Sequence, residues 1–303
     1  MRGPKMLVLT TILPHVTANH DVEACLSVIE ELGVRVGQSE DLGAVDGLAV
    51  DTFLEADDLA VLRPLVAGLL AGKAVDFCLQ PAEGRRKRLL IADMDSTIIN
   101  VECIDELADF AGVKAQVSEI TERAMRGELD FEAALKERVA MLKGLPLADL
   151  QRAYDERVRL NPGARTLVRT MTAHGAKAFL VSGGFSFFTR RVAEAAGFNA
   201  SRANTLIEDG DLLAGTVGEP ILGREAKLAA LREEAANLGI PLSATLAVGD
   251  GANDLAMIEA SGLGIAYRAK PIVASQAHAR VDHTDLTSLL YFQGYRADEF
   301  VID

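Results

Sequence analysis

The sequence predicts an α/β fold, in which a doubly wound, mostly parallel sheet carries a helical cap and follows a small α+β domain. Short, fully apolar runs alternate with amphipathic helices from residue 89 onward, which is typical of a parallel sheet covered on both faces. A mainly helical stretch between the first two runs is too long for a simple crossover. Before residue 84, strand and helix candidates follow the different order βαββαβ.

Residues 1–84 are predicted to form the small α+β domain, with its helices packed on one sheet. The hydrophobic pattern predicts these elements in order: a strand over 6–12, a helix over 22–32, strands over 34–38 and 48–53, a helix over 57–70 and a strand over 74–79. A basic run, Arg85, Arg86, Lys87 and Arg88, ends the segment that follows. It is interpreted as a solvated linker because the chain as a whole is acidic.

Residues 85–303 are predicted to form the second domain, with the helical cap at about 100–175. The apolar runs, which we expect to be strands, cover 89–92, 178–181, 245–248 and 263–266. The helix candidates of the cap cover 117–125, 131–142 and 147–160. Residues 208–211 give a hairpin-turn signal, and residues 291–303 are interpreted as a terminal tail.

The composition is that of a globular protein with an ample hydrophobic core. The 303 residues are 49% hydrophobic, enough for about two domains. The formal net charge of −13 argues against nucleic acid and anionic membranes as partners. Neither a signal peptide nor an apolar run long enough to span a membrane is recognised. The three cysteines are too scattered for a disulfide framework or a zinc site, so a cytoplasmic location is expected.

Two carboxylates follow the first apolar run, at Asp93 and Asp95. Carboxylates this close oppose each other's ionisation unless a cation lies between them, and hard oxygen ligands suit a divalent metal. One carboxylate of such a pair can attack phosphorus while the other donates a proton to the leaving alcohol. A capped turn or a pair of surface carboxylates is the alternative.

A second acidic segment, containing Asp250, Asn253 and Asp254, follows the third run. Ligands bind at the carboxyl ends of strands in parallel sheets. Asp250 is therefore a candidate metal ligand. Asp254 is a candidate for orienting the metal-bound water or another ligand without binding the metal itself. The alternative is an ordinary Gly-Asp turn that leads into a helix.

Ser182 and Gly183 follow the second run, and Lys227 opens a later helix. A hydroxyl and free backbone N–H groups at the start of a helix suit phosphate oxygens, although Ser182 could instead be a helix N-cap. Lys227 could return to the strand ends and neutralise a nucleophile and a phosphate. A solvated lysine is the alternative.

The segments DMDST, SGG, a spaced lysine and GDGAND together resemble the haloacid-dehalogenase-like superfamily, and residues 85–295 resemble its phosphoserine phosphatase family. The resemblance implies Mg²⁺-dependent hydrolysis of phosphoserine, the last step of serine biosynthesis. It implies that Asp93 is the nucleophile and Asp95 the general acid and base. Asp93, the main-chain carbonyl of Asp95, and Asp250 would bind one Mg²⁺. The residues implied to hold phosphate and substrate are Ser182, Gly183, Lys227 and Asn253.

The narrower resemblance depends on the cap, where Glu102 and Arg138 match family positions. Phosphoserine carries an ammonium group and a carboxylate besides its phosphate. Glu102 would pair with the ammonium, and the planar fork of Arg138 would bind the carboxylate. Met125 and Phe131 match apolar cap positions that would exclude water. Surface charge on helices is the alternative for Glu102 and Arg138.

The βαββαβ order of residues 1–84 resembles the ACT-like domains attached to some phosphoserine phosphatases. The resemblance implies amino-acid sensing or assembly into a homodimer, and a purely structural appendage is the alternative. Two other functions also remain open at this point. One is a receiver-like signalling domain phosphorylated on aspartate, although such a domain has no use for Asp95. The other is a related phosphatase or phosphotransferase with a different substrate.

Overall fold

The computed structural model describes residues 5–14, 19–44, 47–56, 58–126 and 128–302. The N-terminal elements are β1 (Lys5–Leu13), α1 (Asn19–Glu31), β2 (Arg35–Asp41), β3 (Leu48–Ala56), α2 (Leu59–Leu69) and β4 (Asp76–Pro81). The predicted βαββαβ order is therefore confirmed, although the predicted first helix residue, Asp57, lies outside the described residues. None of the helices described is long and apolar enough to cross a membrane.

The N-terminal strands form an antiparallel sheet in the order β2-β3-β1-β4. Alternate residues of a strand face the same side of a sheet. One face of this sheet, which includes Leu9, Leu54 and Leu79, packs against Ile29 of α1 and Val66 of α2. The two helices therefore cover one side of the sheet, as the alternation of apolar residues predicts.

The remaining elements begin at Leu89 and alternate as expected for a doubly wound sheet. In chain order they are β5 (Leu89–Ala92), α3 (Cys103–Phe110), α4 (Lys114–Met125), α5 (Phe131–Ala140), α6 (Leu147–Arg157), α7 (Ala164–Ala173), β6 (Lys177–Phe185), α8 (Ser186–Ala196), β7 (Ala200–Asn204), β8 (Leu206–Asp209), β9 (Leu212–Val217), α9 (Arg224–Asn237), β10 (Thr245–Gly249), α10 (Leu255–Ala260), β11 (Leu263–Tyr267), α11 (Pro271–Ala274), β12 (Ala279–Val281) and α12 (Ser288–Phe292). The parallel order is β12-β11-β10-β5-β6-β7. All four apolar runs are strands, which confirms the predicted parallel sheet.

The N-terminal sheet and the parallel sheet are continuous. β4 pairs antiparallel with β12 through Phe77 and Arg280, so ten strands form one sheet. At this seam the buried carboxylate of Asp76 accepts hydrogen bonds from the backbone N–H groups of Asp282, His283 and Thr284. The boundary near residue 84 remains a prediction, but the two regions share a backbone ladder.

Two residues of the basic segment before β5, Arg85 and Lys87, are packed at the seam, so the interpretation as a solvated linker is wrong for them, whereas Arg86 and Arg88 are exposed. Arg85 forms an ion pair with the buried carboxylate of Asp51 at 2.6 Å and also donates to the carbonyl oxygen of Phe292. Lys87 is only 7% exposed, and its ammonium donates to the carbonyl oxygens of Gly84 and Ser243. Acceptors from other parts of the chain, such as Asp51 and Ser243, therefore help to hold these two cations inside the protein.

The segment from Tyr291 to Ile302, interpreted as a tail, also packs against the protein, with contacts that reach Phe300 and Val301, so that interpretation is wrong. Tyr291, Phe292 and Tyr295 are buried. The carbonyl oxygen of Phe292 accepts a 2.6 Å hydrogen bond from Gln80 on β4. This segment joins the N-terminal strands to the region of the parallel sheet.

The cap consists of α3 to α6 together with the hairpin β8–β9. The hairpin turn falls at the predicted place, between Asp209 and Leu212. Leu213 of β9 exchanges backbone hydrogen bonds with Gly144 and Leu145, both at 2.8 Å, which attaches the hairpin to the cap. By contrast, α7 packs on β6 and α8 and so lies on the sheet, although the predicted cap limit near residue 175 includes it.

Candidate active site

The site lies at the carboxyl ends of three adjacent parallel strands, β10, β5 and β6. Asp93 follows β5, Asp250 follows β10, and Ser182 lies near the end of β6. Neighbouring parallel strands end at the same edge of the sheet. Three segments that are far apart in sequence therefore meet here, because each lies at or near the carboxyl end of an apolar strand.

Lys227 lies between two buried carboxylates. Its Nζ is 2.7 Å from Asp93 Oδ1 and 2.6 Å from Asp254 Oδ1, and it is 2% exposed. Burial by itself would lower the pKa of Lys227, but the carboxylates of Asp254 and Asp93 raise it above its usual value. The ammonium therefore stays charged, and the alternative of a solvated lysine is wrong.

Asp254 is fully buried and fixed in position by its neighbours. One of its oxygens accepts hydrogen bonds from the backbone N–H groups of Asp250 and Gly251, at 3.2 and 3.1 Å, while the other contacts Lys227. With both oxygens engaged, Asp254 is suited to orient Lys227 and the turn after β10.

Oxygens of Asp93, Asp250 and Asp254 lie within 4.8 Å of one another. Burial, and then the nearby Asp254, raises the pKa of Asp93 well above its usual range. Burial, followed by Glu102 and Asp93, does the same to the pKa of Asp250. The cluster therefore holds more negative charge than Lys227 neutralises. A divalent cation fits this set of hard oxygen donors, and it would allow both carboxyl groups to ionise.

Asp95 faces a different set of partners. Its Oδ1 accepts a 2.9 Å hydrogen bond from the backbone N–H of Cys103, and its Oδ2 accepts one of 3.2 Å from the Ser182 hydroxyl. Burial raises the pKa of Asp95, although these hydrogen bonds oppose the shift. A carboxyl group with a raised pKa is suited to donate a proton.

Ser182 is not a helix N-cap, because β6 continues to Phe185 and α8 begins only at Ser186. The expectation that free N–H groups here lie at the start of a helix is therefore wrong. The Ser182 Oγ instead accepts a 2.8 Å hydrogen bond from the backbone N–H of Gly184 and donates to Asp95. The hydroxyl thus tethers β6 to the turn after β5.

The two glycines after Ser182 allow close approach from both sides. A Cβ atom at Gly183 would lie 2.6 Å from Cζ of Phe131, and one at Gly184 would lie 2.7 Å from Asp95 Oδ2. Phe131 begins α5, so the cap reaches the sheet edge at this ring. The side chain of Met125, the other predicted apolar cap residue, lies outside the described part of the structure.

Glu102 and Arg138 both line the pocket above the strand ends. Glu102 accepts a 2.6 Å hydrogen bond from the Ser96 hydroxyl, and burial, followed by Asp95, raises its pKa to about 8. Arg138 is 6% exposed and donates to the carbonyl oxygen of Ala134 at 3.0 Å. The alternative of surface charge is therefore wrong for Arg138. The carboxyl group of Glu102 and the guanidinium group of Arg138 face the same small pocket.

The pocket brings the remaining predicted residues together. Its lining includes Asp93, Asp95, Ser182, Gly183 and Asn253. The Oδ1 atom of Asn253 is buried and has no hydrogen-bond partner among the residues that the structure describes. A buried polar atom without a partner is costly, so this amide is suited to contact a polar ligand.

Comparison with known proteins agrees with this geometry. The family model described as haloacid dehalogenase-like hydrolase matches residues 90–259. The chain belongs to this hydrolase family. The match spans the turn after β5, the cap, and the acidic segment after β10, which are the parts that form the pocket.

Similarity extends beyond the hydrolase core into the N-terminal region. The chain is 40% identical over 294 residues to the phosphoserine phosphatase of Streptomyces coelicolor, covering 96% of this chain and 71% of that protein. The crystal structure of a haloacid dehalogenase family hydrolase from Salmonella enterica serovar Typhi matches with a TM-score of 0.83 and 31% identity, covering 95% and 98% of the two chains. A phospho-aspartyl intermediate analogue of phosphoserine phosphatase matches with a TM-score of 0.65 and 39% identity, covering 68% of this chain and 99% of that one.

Several residues that contact the predicted site residues were not identified from the sequence. The Thr97 hydroxyl donates to Asp250 Oδ1 at 3.1 Å, and the Ser96 hydroxyl donates to Glu102. Thr121, on the cap, accepts a hydrogen bond from Arg138. Thr97 could have been found from its place in the DMDST segment, whereas nothing near Thr121 in the sequence signals its partner.

Proposed function

We propose that this protein hydrolyses O-phospho-L-serine to L-serine and inorganic phosphate through an aspartyl phosphate on Asp93, as the last step of serine biosynthesis. The observation that carries the proposal is the single pocket in which the Asp93 and Asp95 pair faces both Glu102 and Arg138. Glu102 and Arg138 complement the ammonium group and the carboxylate of phosphoserine, and Asp93 and Asp95 supply the nucleophile and the proton that cleavage of its phosphate ester needs. The names of the relatives support the same substrate.

Asp93 is suited to be the nucleophile. Lys227 and the backbone N–H of Met94 both contact its Oδ1, and no hydrogen bond within the described part of the chain reaches Oδ2. In the first step, Oδ2 attacks phosphorus and the bond from phosphorus to the serine oxygen breaks. Lys227 reduces the repulsion between the carboxylate and the incoming phosphate.

Asp95 is suited to move the proton. Its carboxyl group, with a raised pKa, donates a proton to the departing serine oxygen. The resulting carboxylate then takes a proton from a water molecule, which attacks the phosphorus of the aspartyl phosphate. Asp93 is regenerated, and phosphate leaves. The contacts of Asp95 with Cys103 and Ser182 keep it aimed at the pocket throughout.

We propose Mg²⁺ as the metal, held by Asp93, Asp250 and the main-chain carbonyl of Asp95. When bound, the ion would supply positive charge that offsets the phosphate and the clustered carboxylates. Asp254 and Thr97 would hold Lys227 and Asp250 in place around it. Ser182, Gly183, Lys227 and Asn253 would then bind the phosphate oxygens.

A substrate panel tests the proposed function directly. With Mg²⁺, we expect repeated turnover of phosphoserine, much faster than turnover of phosphoethanolamine or of sugar phosphates. EDTA should abolish phosphate release, and excess Mg²⁺ should restore it, because the carboxylate cluster needs a cation. A single stoichiometric labelling of the protein without turnover would instead support a receiver-like domain. Equal rates on all the esters would contradict the proposed substrate.

Arg138 is proposed to read the substrate carboxylate. Replacing Arg138 with alanine should lower kcat/KM for phosphoserine by about 100-fold or more, because it removes charge-assisted hydrogen bonds in a buried site. Phosphoethanolamine lacks the carboxylate, so its hydrolysis should change much less. Steady-state kinetics on both esters measure the difference. Arg152→Ala on the exposed face of α6 is the control and should affect neither substrate.

The N-terminal region is proposed to be a structural part of this enzyme. Its strand β4 pairs with β12, and its residues Asp51 and Gln80 contact Arg85 and Phe292 of the second region. Amino-acid sensing and homodimerisation stay predictions. A cytoplasmic location also stays a proposal, with which the three free, buried cysteines agree.

A further inference from the structure

Arg138 is held by contacts that leave part of its guanidinium group for the pocket. Its Nε donates to the carbonyl oxygen of Ala134 at 3.0 Å, and its Nη1 donates to Thr121 Oγ1 at 2.9 Å. An arginine has five N–H donors. Those not used in these two bonds remain for a ligand, because Arg138 lines the pocket. The plane of the guanidinium is therefore set by Ala134 and Thr121.

Thr121 links Arg138 to a carboxylate that lies behind it. Its Oγ1 is 2.8 Å from Asp105 Oδ1 and 2.9 Å from the carbonyl oxygen of Val117. The hydroxyl has one hydrogen, and an ionised carboxylate is the stronger acceptor. Thr121 thus accepts from a cation and donates to an anion, an arrangement in which each hydrogen bond strengthens the other.

Asp105 is itself fixed, because its Oδ2 accepts a 2.7 Å hydrogen bond from the Ser118 hydroxyl. The resulting chain joins three cap helices, with Asp105 on α3, Thr121 on α4 and Arg138 on α5. Thr121 is 3% exposed. Among these residues, Arg138 is the one whose charged group is proposed to bind substrate.

We infer that Thr121, supported by Asp105, is a positioning residue that orients Arg138 to bind the carboxylate of phosphoserine. The inference rests on the proposed function. Without this support the guanidinium keeps its charge but loses one of the two contacts that fix its plane, because only the bond to Ala134 remains. Bidentate binding of a carboxylate requires a defined plane, whereas binding of the phosphate and the ammonium does not depend on Arg138.

The variant Thr121→Val tests this role because it keeps the side-chain shape and removes the hydroxyl. We expect KM for phosphoserine to rise about tenfold, as for loss of one hydrogen bond to a charged group, with kcat little changed. Turnover of phosphoethanolamine should change little. Thr121→Ser, which restores the hydroxyl, should restore KM. Equal losses on both esters, or no loss on phosphoserine, would overturn the inference.

Thr172→Val is a matched control. Like Thr121 Oγ1, Thr172 Oγ1 lies 2.9 Å from the carbonyl oxygen one helical turn earlier, here that of Val168, but Thr172 lies on α7 outside the cap. This variant should leave KM for phosphoserine unchanged. A similar rise in KM would show that loss of any such helix hydrogen bond perturbs the site, which would overturn the inference.

A double-mutant cycle separates positioning from a general effect on the cap. In an Arg138→Ala background, Thr121→Val should cause no further loss, whereas additive losses would overturn the inference. If Thr121→Val does not fold, Asp105→Asn decides, and it must give the same selective rise in KM. A wild-type protein inactive on phosphoserine would overturn the proposed function and this inference with it. An active wild type with unselective variants would overturn the inference alone.

Discussion

Replacing Asp93 with asparagine is expected to abolish phosphate release, lowering kcat by about 10⁴-fold or more, as for removal of a catalytic nucleophile. The amide keeps the size of the side chain but cannot attack phosphorus to form the acyl phosphate. Because Asp93 is buried beside Lys227, the variant also removes one carboxylate from a crowded cluster. We therefore expect the fold to persist, and circular dichroism measures this alongside the phosphate assay.

Asp109→Asn is the control for this experiment. Asp109 lies after the DMDST segment that Asp93 begins, and it is exposed on α3 and paired with Arg157 at the surface. Its replacement should leave kcat unchanged. Near-normal turnover by a folded Asp93→Asn variant would show that another residue is the nucleophile.

Replacing Lys227 with methionine is expected to reduce both activity and stability. The ammonium is the cation that the structure places between Asp93 and Asp254, and both of these carboxylates are buried. Removing one partner of a buried ion pair typically costs about 3–5 kcal/mol. We expect a fall in Tm of several degrees without metal, and a loss in kcat of about 100-fold or more with Mg²⁺.

Calorimetry with and without Mg²⁺ separates the two effects. Added Mg²⁺ should recover part of the lost Tm, because it supplies positive charge to the same carboxylates. Lys136→Met is the matched control, since Lys136 is exposed and pairs only with Glu219 within the described part of the chain. If Lys227→Met melts like the wild type and retains its activity, the buried ion pair has neither proposed role.

Local patterns were sufficient for the strands and for most of the site. Each of the four apolar runs is a strand because a strand buried on both faces needs continuous hydrophobic residues. Asp93 and Asp250 come together because parallel strands end at one edge of the sheet. The hairpin turn at Asp209–Leu212 could likewise be predicted from its own residues.

Contacts between distant segments were not predictable from the sequence pattern. The basic run that begins at Arg85 looks solvated because its neighbours in sequence are polar. The carboxylate that pairs with Arg85, that of Asp51, comes from β3, which is distant in sequence. The residues after Leu290 look like a tail because the segment is too short to show the spacing of apolar residues that marks a helix or a strand. Their burial depends on a surface that exists only once β4 lies beside β12.

The sequence by itself determined the α/β fold and the strand-end motifs, because hydrophobic period and residue chemistry are local properties, and the family resemblance of those motifs supplied the candidate nucleophile. Only the tertiary structure decided that both sheets are continuous and that Lys227 bridges Asp93 and Asp254. It also decided that Thr121 supports Arg138. The physical reason is that burial and hydrogen-bond partners depend on which segments pack together, and spacing along the chain does not encode that packing.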